Sequence, residues 1–451
     1  MALASGMRLG LERPTSLEGN ERVSEIPSFL LGALQFQNAR RETLRKVPDS
    51  EWQRVLSDWH VVRLTLPLRQ VCGGEVPAWV CERIDVFLAD NALRFERIKN
   101  VYSRAVKALE EAGTDHVVIK GFSLWPGYTD HPKYRPQSDI DLYCPPETAS
   151  RARNALFALG YKAQPHWGQG STEHLSTLIP PSSWSWRGNY FDPDIPVSLE
   201  IHFTWWDSIN SRIHPQGLEG FWPRRLMRAV DGLSFPALDP ADNLGYTALN
   251  LLRTVLHSRL AMEQAYGLAR FLHMHADDSQ FWERWRELHH DSLRRLESVS
   301  FLLARTCFGC RLSDRAQDEV NRLPQPIHQF FRYFSGSMLS AGFGSTKDGL
   351  WLHLDLLESR SDKWAILLRG MLPFRLVIPA AGALVDAETA FGTPDRKNHL
   401  PQVAYAGHKS IEFAKWFVAR GIYHIVRLPA RLSRGLAYHL SRKANIRESA
   451  N

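Results

Sequence analysis

The strongest constraint on how this chain can fold is a switch in its hydrophobic period. Along most of its length apolar residues recur at helical spacing, but three short segments change to the alternation of a β-strand. They are His116–Ile119 (HVVI), Asp139–Cys144 (DIDLYC) and Val197–Trp205 (VSLEIHFTW). The first is β-branched and too brief for a helix; the second is closed by Pro145-Pro146, which cannot continue a sheet interior. Between the second and third, Glu147–Gly160 returns to helical spacing and stops at a glycine. Strand, loop, strand, helix, strand predicts a small α/β unit near residues 114–210. The fold class expected is therefore α+β or α/β, a small mixed sheet embedded in a largely α-helical protein.

Helical patterns flank that unit. In Asp85–Gly113, Val86, Leu93, Ile98, Val101, Val106 and Leu109 recur near helical spacing and Gly113 supplies the stop. Beyond Asp242 two long helical stretches follow. The organisation expected is a flexible arm at 1–25, a helical region at 26–113 and a core at 114–235 with a tryptophan-rich insertion. A helical domain at 236–334, a Gly/Ser-rich linker at 335–350 and a helical C-terminal region at 351–451 complete it.

Composition narrows the class. With 451 residues, 44% of them apolar and 23% charged, the chain can bury a core, which excludes wholesale disorder. Its formal charge of +7 is concentrated: Arg420 to Asn451 holds Arg420, Arg427, Arg431, Arg434, Arg442, Lys443 and Arg447 against Glu448 alone. A basic tail on a near-neutral body is indicated, not a globally basic nucleic-acid binder. Cys72, Cys81, Cys144, Cys307 and Cys310 are too few and too scattered to staple a chain of this size. With no signal-like start and no apolar run of about 18 residues, the expectation is a cytoplasmic protein, or one resting peripherally on the inner membrane surface.

The chemistry is concentrated in the strand segments. In DIDL a period of two puts Asp139 and Asp141 on one face while Ile140 and Leu142 point into the core. Two carboxylates about 7 Å apart on one strand face can share divalent cations, which prefer oxygen ligands. Glu200 becomes a third carboxylate if its strand pairs alongside, and His202 then faces the same side. Upstream, Lys120-Gly121 ends a strand where backbone can approach a ligand, and Ser123 offers a hydroxyl beside it. Lys120 supplies a point charge and Arg135 a forked donor, both suited to polyphosphate. Cations around an acidic centre fit phosphoryl or nucleotidyl transfer. The second Asp-x-Asp, Asp192-Pro193-Asp194, belongs to a turn because of its proline.

The stretch IKGFSLWPGYTDHPKYRPQSDIDLYC (119–144), with SLEIHFTW (198–205), resembles the uncharacterised nucleotidyltransferases of the polymerase-β superfamily. Those proteins share Lys-Gly, Arg-Pro shortly before Asp-x-Asp-Leu, and a Glu-x-His-[Phe/Trp] strand. The likeness covers roughly residues 30–330. It implies a nucleotidyltransferase core with Asp139, Asp141 and Glu200 as catalytic metal carboxylates for Mg²⁺ or Mn²⁺. A nucleoside triphosphate would lie near Lys120, Gly121, Ser123, Arg135 and His202. The wider superfamily has Gly-Ser or Gly-Gly where this chain has Gly121-Phe122, which leaves open whether Ser123, Lys120 or neither touches the phosphate.

The acceptor is not legible: a small molecule, saccharide, peptide or RNA all remain open. Trp167, Trp184, Trp186, Trp205, Trp206 and Trp222 crowd the irregular segment beside the strands, either as a local aromatic core or as a stacking wall for the acceptor. Cys307 and Cys310 lack the partner spacing of a zinc site, and His273/His275 and His289/His290 do not share helical faces. In the tail, Arg427, Arg431 and Arg434 fall on one helical face and Leu428, Leu432, Leu436 and Leu440 on another. That pattern suits a membrane-surface helix, a basic face for an anionic partner, or a helix packed on the body. Two other functions compete with a transferase: a non-catalytic binding or scaffold protein on the same fold, and a tRNA-modifying toxin.

Overall fold

A computed structural model of the chain describes residues 26–164, 173–339, 346–371, 421–422 and 424–442. The arm expected at 1–25 and Trp167 lie outside them. At the centre is a seven-stranded mixed sheet in the order β3-β4-β5-β2-β1-β7-β6. Its strands are β1 Val117–Ile119, β2 Asp139–Tyr143, β3 Lys162–Ala163, β4 Leu178–Ile179, β5 Ser198–His202, β6 Leu226–Val230 and β7 Leu233–Ala237. The β2 strand runs antiparallel to β1 and parallel to β5, and β1 is parallel to β7. Helices surround this sheet, so the protein is a mixed α and β molecule with a small sheet in a helical body.

Each face of the sheet meets a different core. Ile140 and Leu142 of β2 and Leu199 and Ile201 of β5 pack with Ile98, Tyr102 and Leu109 of the long helix Ala78–Glu111, and with Leu156 of helix Pro146–Ala158. Ile140, Leu142 and Leu199 are fully buried, a gain of about 1.5–3 kcal/mol for each such side chain. The opposite face looks towards helix Pro240–Leu256 and the larger helical core.

The long helix buries the face that carries Ile98 and Leu109, as the spacing suggests, with Val101 and Val106 partly buried beside them; Val86 and Leu93 depart from it. Val80, Ile84, Phe87, Phe95, Ile98, Tyr102 and Leu109 point inward, whereas Val86 and Leu93 are about half exposed. The heptad separation of Val86 and Leu93 puts both on one stripe, on the side of the helix away from the packed face. Asn91 and Arg94 of this helix are also buried. Asn91 Nδ2 donates to the carbonyls of Lys133 and Arg135 (2.6 and 3.2 Å), and Arg94 donates to those of Gln137 and Asp192 (2.5 and 2.8 Å). A polar notch in an otherwise apolar stripe thereby anchors the loop that enters β2.

Helix Gln325–Met338 runs into the segment read as a linker, and helix Gly349–Leu356 takes up on its far side. Sheet pairing extends to Ala237, just past the expected edge of the core. All five cysteines are free thiols. Among the described residues no helix is long and apolar enough to cross a membrane.

Candidate active site

Strand register builds the site. Along the parallel β2/β5 pair, Asp139 lies opposite Ser198, Asp141 opposite Glu200 and Tyr143 opposite His202. With Ile140, Leu142, Leu199 and Ile201 committed to one face, the period of two sends Asp139, Asp141, Glu200 and His202 to the other. A slip of one residue would drive both aspartates into the apolar layer, so hydrophobic burial itself enforces the arrangement. β1 closes the other side of β2, where Ile119 pairs with Asp141 and delivers Lys120 to the same spot.

Asp141, Glu200 and His202 each offer a ligand atom, and these atoms lie within 4.8 Å of one another, a grouping able to hold a metal ion. His202 Nε2 is 2.8 Å from Asp141 Oδ1 and 3.7 Å from Glu200 Oε2. Its Nδ1 is buried with no hydrogen-bond partner. Asp139 stands two residues along the same face but outside that convergent trio.

Lys120 takes the place of a cation. Its ammonium donates to Asp141 Oδ1 at 2.6 Å and lies 3.5 Å from His202 Nε2. The lysine holds φ at 59° with ψ at −158°, a conformation that costs an L-residue roughly 1–3 kcal/mol. Gly121, at φ 49°, follows it. The space that Gly121 leaves is filled by the amide of Gln137, which a Cβ at 121 would strike, and Gln137 Nε2 donates to the Asp139 carbonyl at 2.7 Å. Ser123 is buried in the 3₁₀ turn Gly121–Leu124, its hydroxyl donating to the Lys120 carbonyl at 2.6 Å. Gly121 and Ser123 thus brace the turn that aims Lys120. Arg135 and Lys120 line a small pocket of about 10 Å³, the size of one water, together with Thr247, Asn250, Glu263 and Gln264.

Electrostatics divides the two aspartates. Burial, reinforced by repulsion from Asp141 and Glu200, pushes the Asp139 carboxyl up to about 7. Burial alone would raise Asp141 as well, but Lys120 and the hydrogen-bonded His202 hold it far below the ordinary carboxylate range. Glu200 is likewise brought down against its burial by His202 and His174. Burial lowers Arg135, opposed by Glu263, Asp139 and Asp141.

Several side chains at the site carry no recognisable motif. His174, from the irregular segment before β4, forms a bridge with His202 and sets its Nε2 4.0 Å from Glu200 Oε2. Thr177 Oγ1 donates to the other Glu200 oxygen at 2.9 Å. From helix Pro240–Leu256, buried Tyr246 is held protonated by burial near Asp141 and Glu200, and Arg253 ion-pairs with Glu173. Arg63 reaches Glu263 at 2.6 Å on the rim of the small pocket. His174 and Thr177 fall in an irregular segment with no period to mark them, and the helical residues look like ordinary core positions.

The tryptophans divide between core and surface. Trp205 and Trp206 are buried, Trp205 stacked on Tyr143 with ring centroids 3.5 Å apart. Trp184 Nε1 donates to Asp192 at 3.0 Å, and Arg187 grips Asp192 and Asp194, so the second Asp-x-Asp pins its own loop. Trp186 is 49% exposed and packs at an angle on Trp184 and Tyr190. Burial pushes the Cys307 and Cys310 thiols up to about 12.

Fold and site together define a class: a helical protein whose small mixed sheet carries adjacent carboxylates on neighbouring strands, in a setting that suits a cation. A family model described as uncharacterised nucleotidyltransferase matches residues 48–309, more than half of the chain, and the chain belongs to that family. The match takes in β1, β2, β5 and the helices that face them. No curated protein and no solved structure matches the chain.

Proposed function

We propose that the protein transfers a nucleoside monophosphate from a nucleoside triphosphate to an acceptor hydroxyl. Asp139, Asp141 and Glu200 hold Mg²⁺ or Mn²⁺ in this reading. The observation that carries it is the parallel register of Asp141 with Glu200, which sets two carboxylates side by side with Asp139 on the same face. The donor set fits a divalent ion: carboxylate oxygens and an imidazole nitrogen converge, and a lysine ammonium already neutralises Asp141. Clustering carboxylates in a buried place without a cation to bind is unfavourable, which argues against a non-catalytic scaffold.

Bound there, the ion would lower the pKa of the acceptor hydroxyl and screen charge on the leaving pyrophosphate. The chain's own groups do the rest. Lys120 leaves Asp141 for the phosphates as they enter, and Arg135 supports them from the same pocket. The acceptor oxygen attacks the α-phosphorus, the bond to the β-phosphate bridging oxygen breaks, and pyrophosphate departs. Glu200 takes the hydroxyl proton, with Thr177 and His174 orienting its carboxylate. His202 holds Asp141 in position through Nε2 and borders the nucleotide. The exposed Trp186 offers a stacking surface to a saccharide, base or peptide acceptor.

The test incubates the protein with each α-labelled triphosphate, Mg²⁺ or Mn²⁺, and an extract of its source cell, then identifies what becomes labelled. The proposal expects α-label on an acceptor, pyrophosphate release, and neither with Asp141→Asn. Transfer of γ-label alone would make this a phosphoryl transferase.

A further inference from the structure

The helix at 421–422 and 424–442 is amphipathic, but its polar side faces the protein. Arg431 is 2% exposed and bonds His424 Nδ1 at 2.8 Å. Arg434 grips the fully buried Asp348 through two donors at 3.0 and 2.5 Å, and Arg442 pairs with Asp355 at 3.0 Å. Tyr438 donates to Asp355 at 2.8 Å, and Gly435 sits so close to Trp351 that any Cβ there would collide with the indole. These contacts fix the rotation of the helix about its axis. They leave Ile422, Ile425, Val426, Leu432, Leu436 and Leu440 facing away from the body, between 49% and 70% exposed. From 422 to 440 this stripe runs roughly 27 Å at 1.5 Å per residue.

The sequence pattern allows the basic face to point outward; the structure turns it inward and presents the leucines. Six large aliphatic side chains in one exposed row mark an interaction surface. Its charge surroundings name the occupant. In sequence, no acidic residue occurs from Phe413 to Arg447, whereas Arg420 precedes the row, Arg427 falls within it and is exposed, and Lys443 and Arg447 follow it. An aliphatic stripe on an acid-free, basic segment is the chemistry of a helix lying in the interface of an anionic bilayer. A second copy would oppose two acid-free basic surfaces, and a nucleic acid has no use for the aliphatic row. We propose that this face docks the protein onto an anionic lipid surface, with the helix parallel to the membrane plane.

The test is flotation of the full chain with vesicles of phosphatidylcholine alone or mixed with phosphatidylglycerol, comparing wild type with Leu432→Gln/Leu436→Gln/Leu440→Gln. All three positions are exposed, so the variant keeps the wild-type melting temperature. Wild type is expected to float with the anionic vesicles and not with the neutral ones, and the triple variant to bind at least about tenfold more weakly. Added salt should weaken wild-type binding. Absence of flotation, or flotation unchanged in the triple variant, would overturn the proposal. So would a triple variant that turns a dimer into a monomer, which assigns the stripe to a second copy. A new protease cut at 372–420 in that variant would also overturn it, by assigning the stripe to the chain's own segment. Flotation reads the surface without reference to catalysis.

Discussion

Two buried clusters in this protein are built from almost the same parts. Asp141, Glu200 and His202 meet Lys120 on the sheet; Asp242, Glu297 and His289 meet Arg224 in the helical domain. In the helical cluster the imidazole lies between its carboxylates, Nε2 to Asp242 at 3.2 Å and Nδ1 to Glu297 at 2.7 Å. Arg224 binds Asp242 through two donors, Trp285 Nε1 donates to Glu297 at 2.7 Å, and Gly245 packs against Glu297 and His289. Asp242, Glu297 and His289 have no exposed side-chain surface. On the sheet, by contrast, a single nitrogen faces both carboxylates, and Lys120 and Glu200 keep 18% and 19% exposure. Carboxylates on opposite sides of a ring neutralise within the fold, whereas carboxylates converging from one side leave charge for an incoming cation.

That contrast predicts opposite phenotypes. Asp141→Asn should cut transfer by at least about a thousandfold, read as α-label incorporated, while the thermal midpoint falls less than in Asp242→Asn because Lys120 keeps contact with solvent. Asp242→Asn should instead remove about 3–5 kcal/mol of stability in urea titration, because it leaves the buried His289 and the partly buried Arg224 with a broken partner. The folded fraction should retain transfer. If the two variants exchanged phenotypes, the distinction between the clusters would fail.

The next effect depends on pH. Burial alone would lower His289, but Glu297 and Asp242 outweigh it and push the imidazole up to about 9. The folded state therefore binds the proton more tightly than the unfolded state. Stability from this group is complete below about pH 6.5 and is lost as pH rises through about 9, a change of up to about 3 kcal/mol. Denaturation midpoints measured across that window should decline in wild type, and His289→Gln should flatten the decline. The smallest effect is at Lys120: Lys120→Gln removes the competing ammonium and should tighten Mn²⁺ binding by calorimetry about tenfold while transfer falls. Weaker binding in that variant would mean that Lys120 assists the ion.

Much of the site was legible because strand periodicity is short and strict. Asp139, Asp141, Glu200 and His202 could be assigned to one face from alternation alone, and Lys120 from its place at the end of β1. What escaped reading comes from other parts of the chain. His174 and Thr177 reach Glu200 from a segment without regular period, and Arg253 and Tyr246 sit on a helix whose pattern signals only core. His289 looks like one of two adjacent histidines on a helix, yet it is the pivot of the second cluster. The roles expected of Gly121 and Ser123 at a phosphate meet an amide and a carbonyl in this structure.

By itself the sequence determined the periods: where strands interrupt helices, which residues share a face, and where acids and cations are spaced for one chemistry. Periodicity is a local property of the backbone and needs no partner to be read. The tertiary structure decided what each face meets. It joined β2 to β5 in the register that pairs Asp141 with Glu200, turned Val86 and Leu93 outward on the long helix, and set the arginines of the last helix against Asp348 and Asp355. Those outcomes rest on contacts between residues tens to hundreds of positions apart, and such contacts leave no period in the chain.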